Sequence, residues 1–285
     1  MTDWHISPGG SLTGELKIPG DKSISHRAVM LGSLASGTTR VTNFLEGEDT
    51  RATARAFRDM GVTIEADGDG GLTIEGRGLA GLHAPSGDID LGNSGTAMRL
   101  MAGVLAGQSF SSVLRGDESL NGRPMARITH PLGLMGATVM ADSDGTPPLK
   151  IAGGASLRGV RYTLPVASAQ IKSCMLLAGL YAQGETEVES PETCRDHTER
   201  MLCGFGYDVR VDNLTVTLSG GGKLVANDVH VPGDVSSAAF FLMGASIAPG
   251  SDLTLRHVGM NPTRRGVVDI LRLMGADITA LNEHD

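Results

Sequence analysis

Met60-Gly61-Val62-Thr63-Ile64 recurs along this chain as Met135-Gly136-Ala137-Thr138-Val139, Phe205-Gly206-Tyr207-Asp208-Val209 and Met274-Gly275-Ala276-Asp277-Ile278. The four glycines fall at intervals of roughly 70 residues, the signature of a repeated structural unit. In each copy an amphipathic stretch runs into Gly and then into strand-like sequence. A glycine just past a helix can take the left-handed conformation that terminates it. A second set of helix ends, at Gly37, Gly107, Gly184 and Gly250, keeps the same phase. Between the two sets the sequence alternates between helical and strand patterning. Thr39–Asn43 and Thr186–Glu189 read as strands, and Val62–Glu65 with Leu72–Glu75 reads as a hairpin around the Gly-rich turn 67–71. The implied order is β-α-β-α-β-β.

The fold class is therefore α+β, built from repeated βαβαββ units. Three complete units span about Lys17 to Leu218. A fourth begins near Val225, reaches a helix over 263–274 and is expected to stop short of its hairpin. The three glycines Gly220–Gly222 suggest a boundary. The expected organisation is an N-terminal strand over 1–18, a three-unit domain with pseudo-threefold symmetry over 19–222, and the first, incomplete repeat of a second such domain over 223–285.

Composition narrows the function. A net charge of -8 argues against nucleic acid or an anionic membrane surface as partner. Forty glycines in 285 residues, about twice the usual share, are spread through turns rather than collected in linkers. Cys174, Cys194 and Cys203 have no metal-ligand spacing and fit reduced thiols in a cytoplasm. No stretch is long and apolar enough to span a bilayer, and Met1–Gly20 lacks the pattern of a signal peptide. The expectation is a cytoplasmic protein.

The turn before the first helix of each unit concentrates small polar residues and cations. These turns are Gly20-Asp21-Lys22-Ser23-Ile24-Ser25-His26-Arg27, Gly92-Asn93-Ser94-Gly95-Thr96-Ala97-Met98-Arg99, Ser168-Ala169-Gln170-Ile171-Lys172 and Val231-Pro232-Gly233-Asp234. Free backbone N–H groups and the positive end of a helix dipole suit phosphate or carboxylate. Each turn by itself is more often a plain helix cap. His26 and His197 read as packing residues, and Met30, Met60, Met98, Met135 and Met175 as core. Cations recurring at these turns shift the balance towards an anion site.

Together with Arg123-Pro124-Met125 and Arg195-Asp196-His197-Thr198-Glu199, these stretches make the chain resemble the 5-enolpyruvylshikimate-3-phosphate synthases, over essentially its whole length and in the family's order. Ala169 and the Arg195-Asp196-His197 run resemble the group called class II. The resemblance implies the enolpyruvyl transferase inside-out α/β barrel: two domains of three repeats, with substrates between them. It implies transfer of the enolpyruvyl group of phosphoenolpyruvate to the 5-hydroxyl of shikimate 3-phosphate, in the shikimate pathway to chorismate and aromatic amino acids. No metal or organic cofactor is implied. By the same resemblance Lys22 is catalytic and contacts phosphoenolpyruvate, and Ser23 and Arg27 hold the shikimate carboxylate. Gly95 and Arg123 belong to the phosphoenolpyruvate pocket, with Asn93 and Thr96 shaping its loop. Ser168 takes the sugar-like phosphate with Ala169 beside it, Gln170 lies between the substrates, and Arg195 adds to the phosphate clamp. The family's inhibitor glyphosate is an implied ligand. Some tolerant class II members carry Ala where this chain has Gly95, so that route to tolerance is not implied.

The family's acid–base Asp and further Glu, Lys and Arg lie in its second domain, beyond the matched motifs. The expectation is a chain that carries mainly the shikimate 3-phosphate-binding half, with a complementing C-terminal chain as a partner. The competing readings are a non-catalytic anion-binding fragment, one half of a split synthase, and UDP-N-acetylglucosamine enolpyruvyl transferase. The last expects a reactive Cys within Leu114–Arg123, where this sequence has none.

Overall fold

The structure, a computed structural model, describes His5 and residues 9–68 and 70–282. Parts of the expected N-terminal segment, residue 69 of the hairpin turn and residues 283–285 lie outside the described residues.

The chain separates into two compact units, Lys22–Val231 and Met1–Asp21 with Pro232–Asp285. Its path starts with β1 (Thr13–Lys17), α1 (Lys22–Leu34), β2 (Ser36–Thr42), α2 (Glu48–Asp59), β3 (Thr63–Ala66) and β4 (Leu72–Arg77). The second repeat follows with β5 (Ile89–Asp90), α3 (Gly95–Ala106), β6 (Ser112–Arg115), α4 (Glu118–Asn121), α5 (Ala126–Leu134), β7 (Val139–Met140) and β8 (Leu149–Ile151). The third comprises β9 (Arg161–Thr163), α6 (Ala169–Gly179), β10 (Glu185–Glu189), α7 (His197–Gly204), β11 (Val209–Asp212) and β12 (Thr215–Ser219). Then come β13 (Val229–His230), α8 (Val235–Ile247), β14 (Asp252–Arg256) and α9 (Gly266–Leu273). The short α4 is an addition to the expected unit.

Each complete repeat builds a four-stranded sheet of one topology: first strand, second strand, fourth, third. The orders are β5-β6-β8-β7, β9-β10-β12-β11 and β13-β2-β4-β3. The first two strands run parallel and the others antiparallel. The first repeat departs from expectation in one respect. Its opening strand is β13, which pairs with Val41 and Thr42 of β2. The strand that precedes α1 in sequence, β1, instead pairs in parallel with β14 along Thr13–Lys17 and Asp252–Arg256. Hence the units divide at 21/22 and 231/232, against 18/19 and 222/223 from the repeat alone. Gly220–Gly222 is a turn within the larger unit, and Leu224 and Val231 beyond it are buried there.

Two kinds of helix account for the arrangement. Helices α1, α3 and α6 are buried on nearly every side after their first turn. Their small and aliphatic residues leave no polar face to set against water, which places them in the interior. Helices α2, α5 and α7 are amphipathic and cover the core from one face; α2 buries Ala52, Ala56 and Phe57 while presenting Arg51, Arg55 and Arg58 outward. The sheets lie outside the interior helices with alternate residues inward, as with Thr39 and Val41 on β2 and Leu72 and Ile74 on β4. Gly61, Gly136, Gly206 and Gly275 all have positive φ, as a left-handed helix terminator requires. Gly107 does not: its φ is -91. A side chain there would strike the ring of Tyr181 at 2.2 Å, so close approach rather than backbone conformation requires glycine.

In the smaller unit the buried Arg264 donates to Asp21 at 2.8 Å, Asp234 at 3.0 Å and Ser236 at 2.6 Å. Asp234 caps α8 by accepting from the Ser236 amide at 2.9 Å. Helices α8 and α9 leave Phe240, Ile247, Leu273 and Met274 exposed.

Candidate anion site

Every candidate site residue lies in the unit Lys22–Val231. Lys22 opens α1 and pairs with Asp49, in the first turn of α2, at 3.0 Å. Its side chain is half exposed. Ser23 follows, partly buried, and its carbonyl accepts from Arg27 Nη1 at 2.9 Å. Arg27 is only 4% exposed. Its Nε donates to Thr198 Oγ1 at 2.7 Å and its Nη2 to Ser173 Oγ at 2.8 Å. The guanidinium thus ties α1 to α6 and α7.

At the start of α3, Ser94 is the cap: its Oγ accepts from the Ala97 amide at 3.2 Å. Gly95 is the first residue of the helix. A Cβ there would lie 3.0 Å from Arg99 Nη1 and 3.2 Å from Arg123 Nη1, so this glycine lets two guanidinia close over the helix start. Asn93 joins Arg123 through its Oδ1 and donates from Nδ2 to Asp117 at 2.8 Å. Arg123 also reaches Ser119 at 3.4 Å. The loop before α3 and the short helix α4 are thereby held together around a cation.

Ser168 caps α6, accepting from the Ile171 amide at 3.4 Å, and Ala169 and Gln170 form the first turn. Gln170 Oε1 accepts from Arg99 Nη1 at 2.8 Å, while its Nε2 donates to Thr96 Oγ1 at 3.0 Å. That pair of bonds fixes the amide's orientation and joins the starts of α3 and α6. Arg195 stands exposed in the segment before α7.

Residues outside the expected set complete the junction. Arg99 closes the Gly92–Arg99 stretch, and its spacing from Gly95 and Thr96 puts it on their face of α3. Burial, and then the adjacent charges of Arg123 and Arg127, push its pKa down from the ordinary guanidinium value. Such crowding of cations is relieved by a bound anion. Lys172 forms a buried ion pair with Glu199, joining α6 to α7. Burial opposes the Lys172 charge, but Glu199 outweighs it and holds the ammonium above its usual pKa. His26 is fully buried, and desolvation, reinforced by Arg27 and Lys22 and opposed by Asp49, lowers its pKa to about 3. It is a neutral imidazole, as a packing residue should be, yet it bonds to two other helices. Nothing in a one-dimensional pattern marks Ser173, Thr198 or Glu199 as partners of residues so far away in the chain. Among the described residues no cluster of His, Cys, Asp or Glu could hold a metal ion, and no helix is long and apolar enough to cross a membrane.

The first turns of α3 and α6 are thus bonded to each other, and α1 joins them through His26 and Arg27. The profile of the family EPSP synthase (3-phosphoshikimate 1-carboxyvinyltransferase) matches residues 6–285. The chain belongs to the EPSP synthase family. It is 60% identical over 283 residues to the 3-phosphoshikimate 1-carboxyvinyltransferase of Alkalilimnicola ehrlichii, covering 99% of this chain and 64% of that protein. The Halorhodospira halophila protein of the same name is 60% identical over 280 residues, covering 98% of this chain and 63% of its own. Among solved structures, an EPSP synthase from Acinetobacter baumannii superposes with a TM-score of 0.92 at 55% identity, covering 98% of this chain and 63% of that one. The chain spans less than two thirds of the length of these EPSP synthases. The inside-out α+β repeat fold expected from sequence is the fold that this family shows.

Proposed function

We propose that the unit Lys22–Val231 binds shikimate 3-phosphate and supplies one wall of a phosphoenolpyruvate pocket, as part of an enolpyruvyl transferase. The observation that supports this reading is the hydrogen-bonded junction of α1, α3 and α6, whose N-terminal halves carry Lys22, Arg27 and Arg99, with Arg123 from the loop after α4 beside the start of α3. In this reading Ser168 and Arg195 take the sugar phosphate, Ser23 and Arg27 the carboxylate, and Gln170 lies between the two substrates. Lys22, Arg123 and the Gly95 turn face phosphoenolpyruvate, with Asn93 and Thr96 setting the loop. Transfer requires the 5-hydroxyl to lose its proton and attack C2 of phosphoenolpyruvate while C3 gains one, and phosphate then leaves the adduct as C3 gives up a proton to restore the double bond. Cations that stabilise and align four anionic groups are the contribution of this unit. A chain that carries this unit is expected to bind shikimate 3-phosphate.

Calorimetry of the folded chain with shikimate 3-phosphate is the test. Charge-assisted contacts of about 1.5–3 kcal/mol each predict binding detectable at millimolar ligand. Ser168→Ala and Arg195→Ala should each weaken it about tenfold or more. No heat at millimolar ligand, with the protein shown to be folded, refutes the assignment.

A further inference from the structure

The functional reading leaves His26 without a task. It is buried within α1, where an apolar side chain would pack at lower cost, and it is bonded on both nitrogens. Nδ1 lies 2.8 Å from Thr53 Oγ1 on α2, and Nε2 lies 3.4 Å from Ser94 Oγ, the cap of α3. Each hydroxyl has a single proton, which orders the chain of bonds. Thr53 Oγ1 donates to the Asp49 carbonyl at 3.3 Å, so it accepts from His26 Nδ1–H. With the imidazole proton on Nδ1, Nε2 is the acceptor, and the Ser94 hydroxyl, which accepts from the Ala97 amide, donates to it. Every donor is used once only if the imidazole is neutral and carries its proton on Nδ1. One end of this relay reaches the backbone of Asp49, whose carboxylate holds Lys22. The other end reaches the cap that orients Gly95 and the α3 amides.

We propose that His26 is a positioning residue for the phosphoenolpyruvate pocket, registering the Lys22–Asp49 pair against the Gly95 end of α3 through its Nδ1–H tautomer. This rests on the functional reading above, and it acts through Ser94 and Thr53 rather than by touching a substrate. Two amide replacements separate the links. The shorter side chain of His26→Asn reaches only the place of Nδ1 and keeps Thr53. The longer His26→Gln reaches the place of Nε2 and keeps Ser94.

The test uses the 285-residue chain, with nitrogen-detected NMR of His26, hydrogen exchange at the Ala97 amide, and titrations with shikimate 3-phosphate and phosphoenolpyruvate. The expected results are the Nδ1–H tautomer and exchange at Ala97 about tenfold faster in His26→Asn, with near-normal exchange in His26→Gln. In His26→Asn, phosphoenolpyruvate affinity measured with shikimate 3-phosphate bound should fall about five- to tenfold, while that of shikimate 3-phosphate changes less than about twofold. The Nε2–H tautomer, unchanged exchange at Ala97, or equal weakening of both ligands overturns the proposal. If the unsubstituted chain binds neither ligand while tautomer and exchange behave as stated, the coupling stands and the substrate assignment falls.

Discussion

At the scale of single residues, burial decides more than identity does. His26 and Arg27 are adjacent in sequence and both buried, yet one is neutral and the other charged. The guanidinium keeps its charge by donating to Thr198, Ser173 and the Ser23 carbonyl, whereas the imidazole sheds its proton because desolvation and neighbouring cations outweigh Asp49. The depressed His26 pKa makes a definite prediction for stability. Between the ordinary value of 6.5 and about 3, the unfolded chain binds a proton that the folded chain does not. Stability contributed by this group is therefore fully present above 6.5 and declines as pH falls through that window, by about 1.4 kcal/mol per pH unit. His26→Asn should remove that decline. Urea unfolding at pH 7.5 and 5.0 should show the native chain losing about 2 kcal/mol more than the variant. Equal losses would mean that His26 titrates normally. Gly95 carries the other residue-scale lesson. Its place at a helix start is plain from the Ser94-Gly95-Thr96 turn, but Arg99 and Arg123 closing over it come from tertiary packing.

Among the elements, the repeats share a flaw as well as a topology. Thr39, Ser112 and Thr186 occupy the same register, opposite Ile74, Ile151 and Leu218 on the neighbouring strand. All three hydroxyls are buried with no hydrogen-bond partner among the described residues. A buried, unpaired hydroxyl costs about 1–3 kcal/mol, and replacing it by a methyl of the same shape recovers part of that. Thr39→Val and Thr186→Val should each raise the unfolding free energy by about 1 kcal/mol. Their effects should add, because the residues lie in different sheets. Chemical denaturation of the two single variants and the double variant measures both statements, and destabilisation by either valine would reveal a bond to the hydroxyl. The β-α-β-α-β-β order itself was legible, since helix ends at glycine and alternating strands are local patterns. The extra helix α4 was not. Its four residues are too short for a period, and it is held by Asp117 and Asn121 bonding to nearby backbone.

For the whole molecule, the division at 231/232 gives a direct experiment. Residues 224–231 contribute β13 and the buried Leu224 and Val231 to the larger unit. A fragment spanning 22–231 should unfold cooperatively and retain shikimate 3-phosphate binding. One ending at 222 loses two buried aliphatic side chains and a strand, and should be weaker by about 3–6 kcal/mol. Indistinguishable unfolding curves for the two fragments would refute this division. Sequence by itself determined the α+β class, the period, the core methionines such as Met30, Met98 and Met175, and the cationic helix starts. Each is written in local spacing, hydrophobic periodicity or a motif. Only the tertiary structure decided that β13 and not β1 completes the first sheet. Two short parallel strands offer similar local patterns, and which pairs with β2 depends on hydrogen bonds formed between residues 188 positions apart. The same reason hid the partners of Arg27, Gln170 and His26: a side chain's residue type is local, but the acceptor it finds is set by which helices pack together.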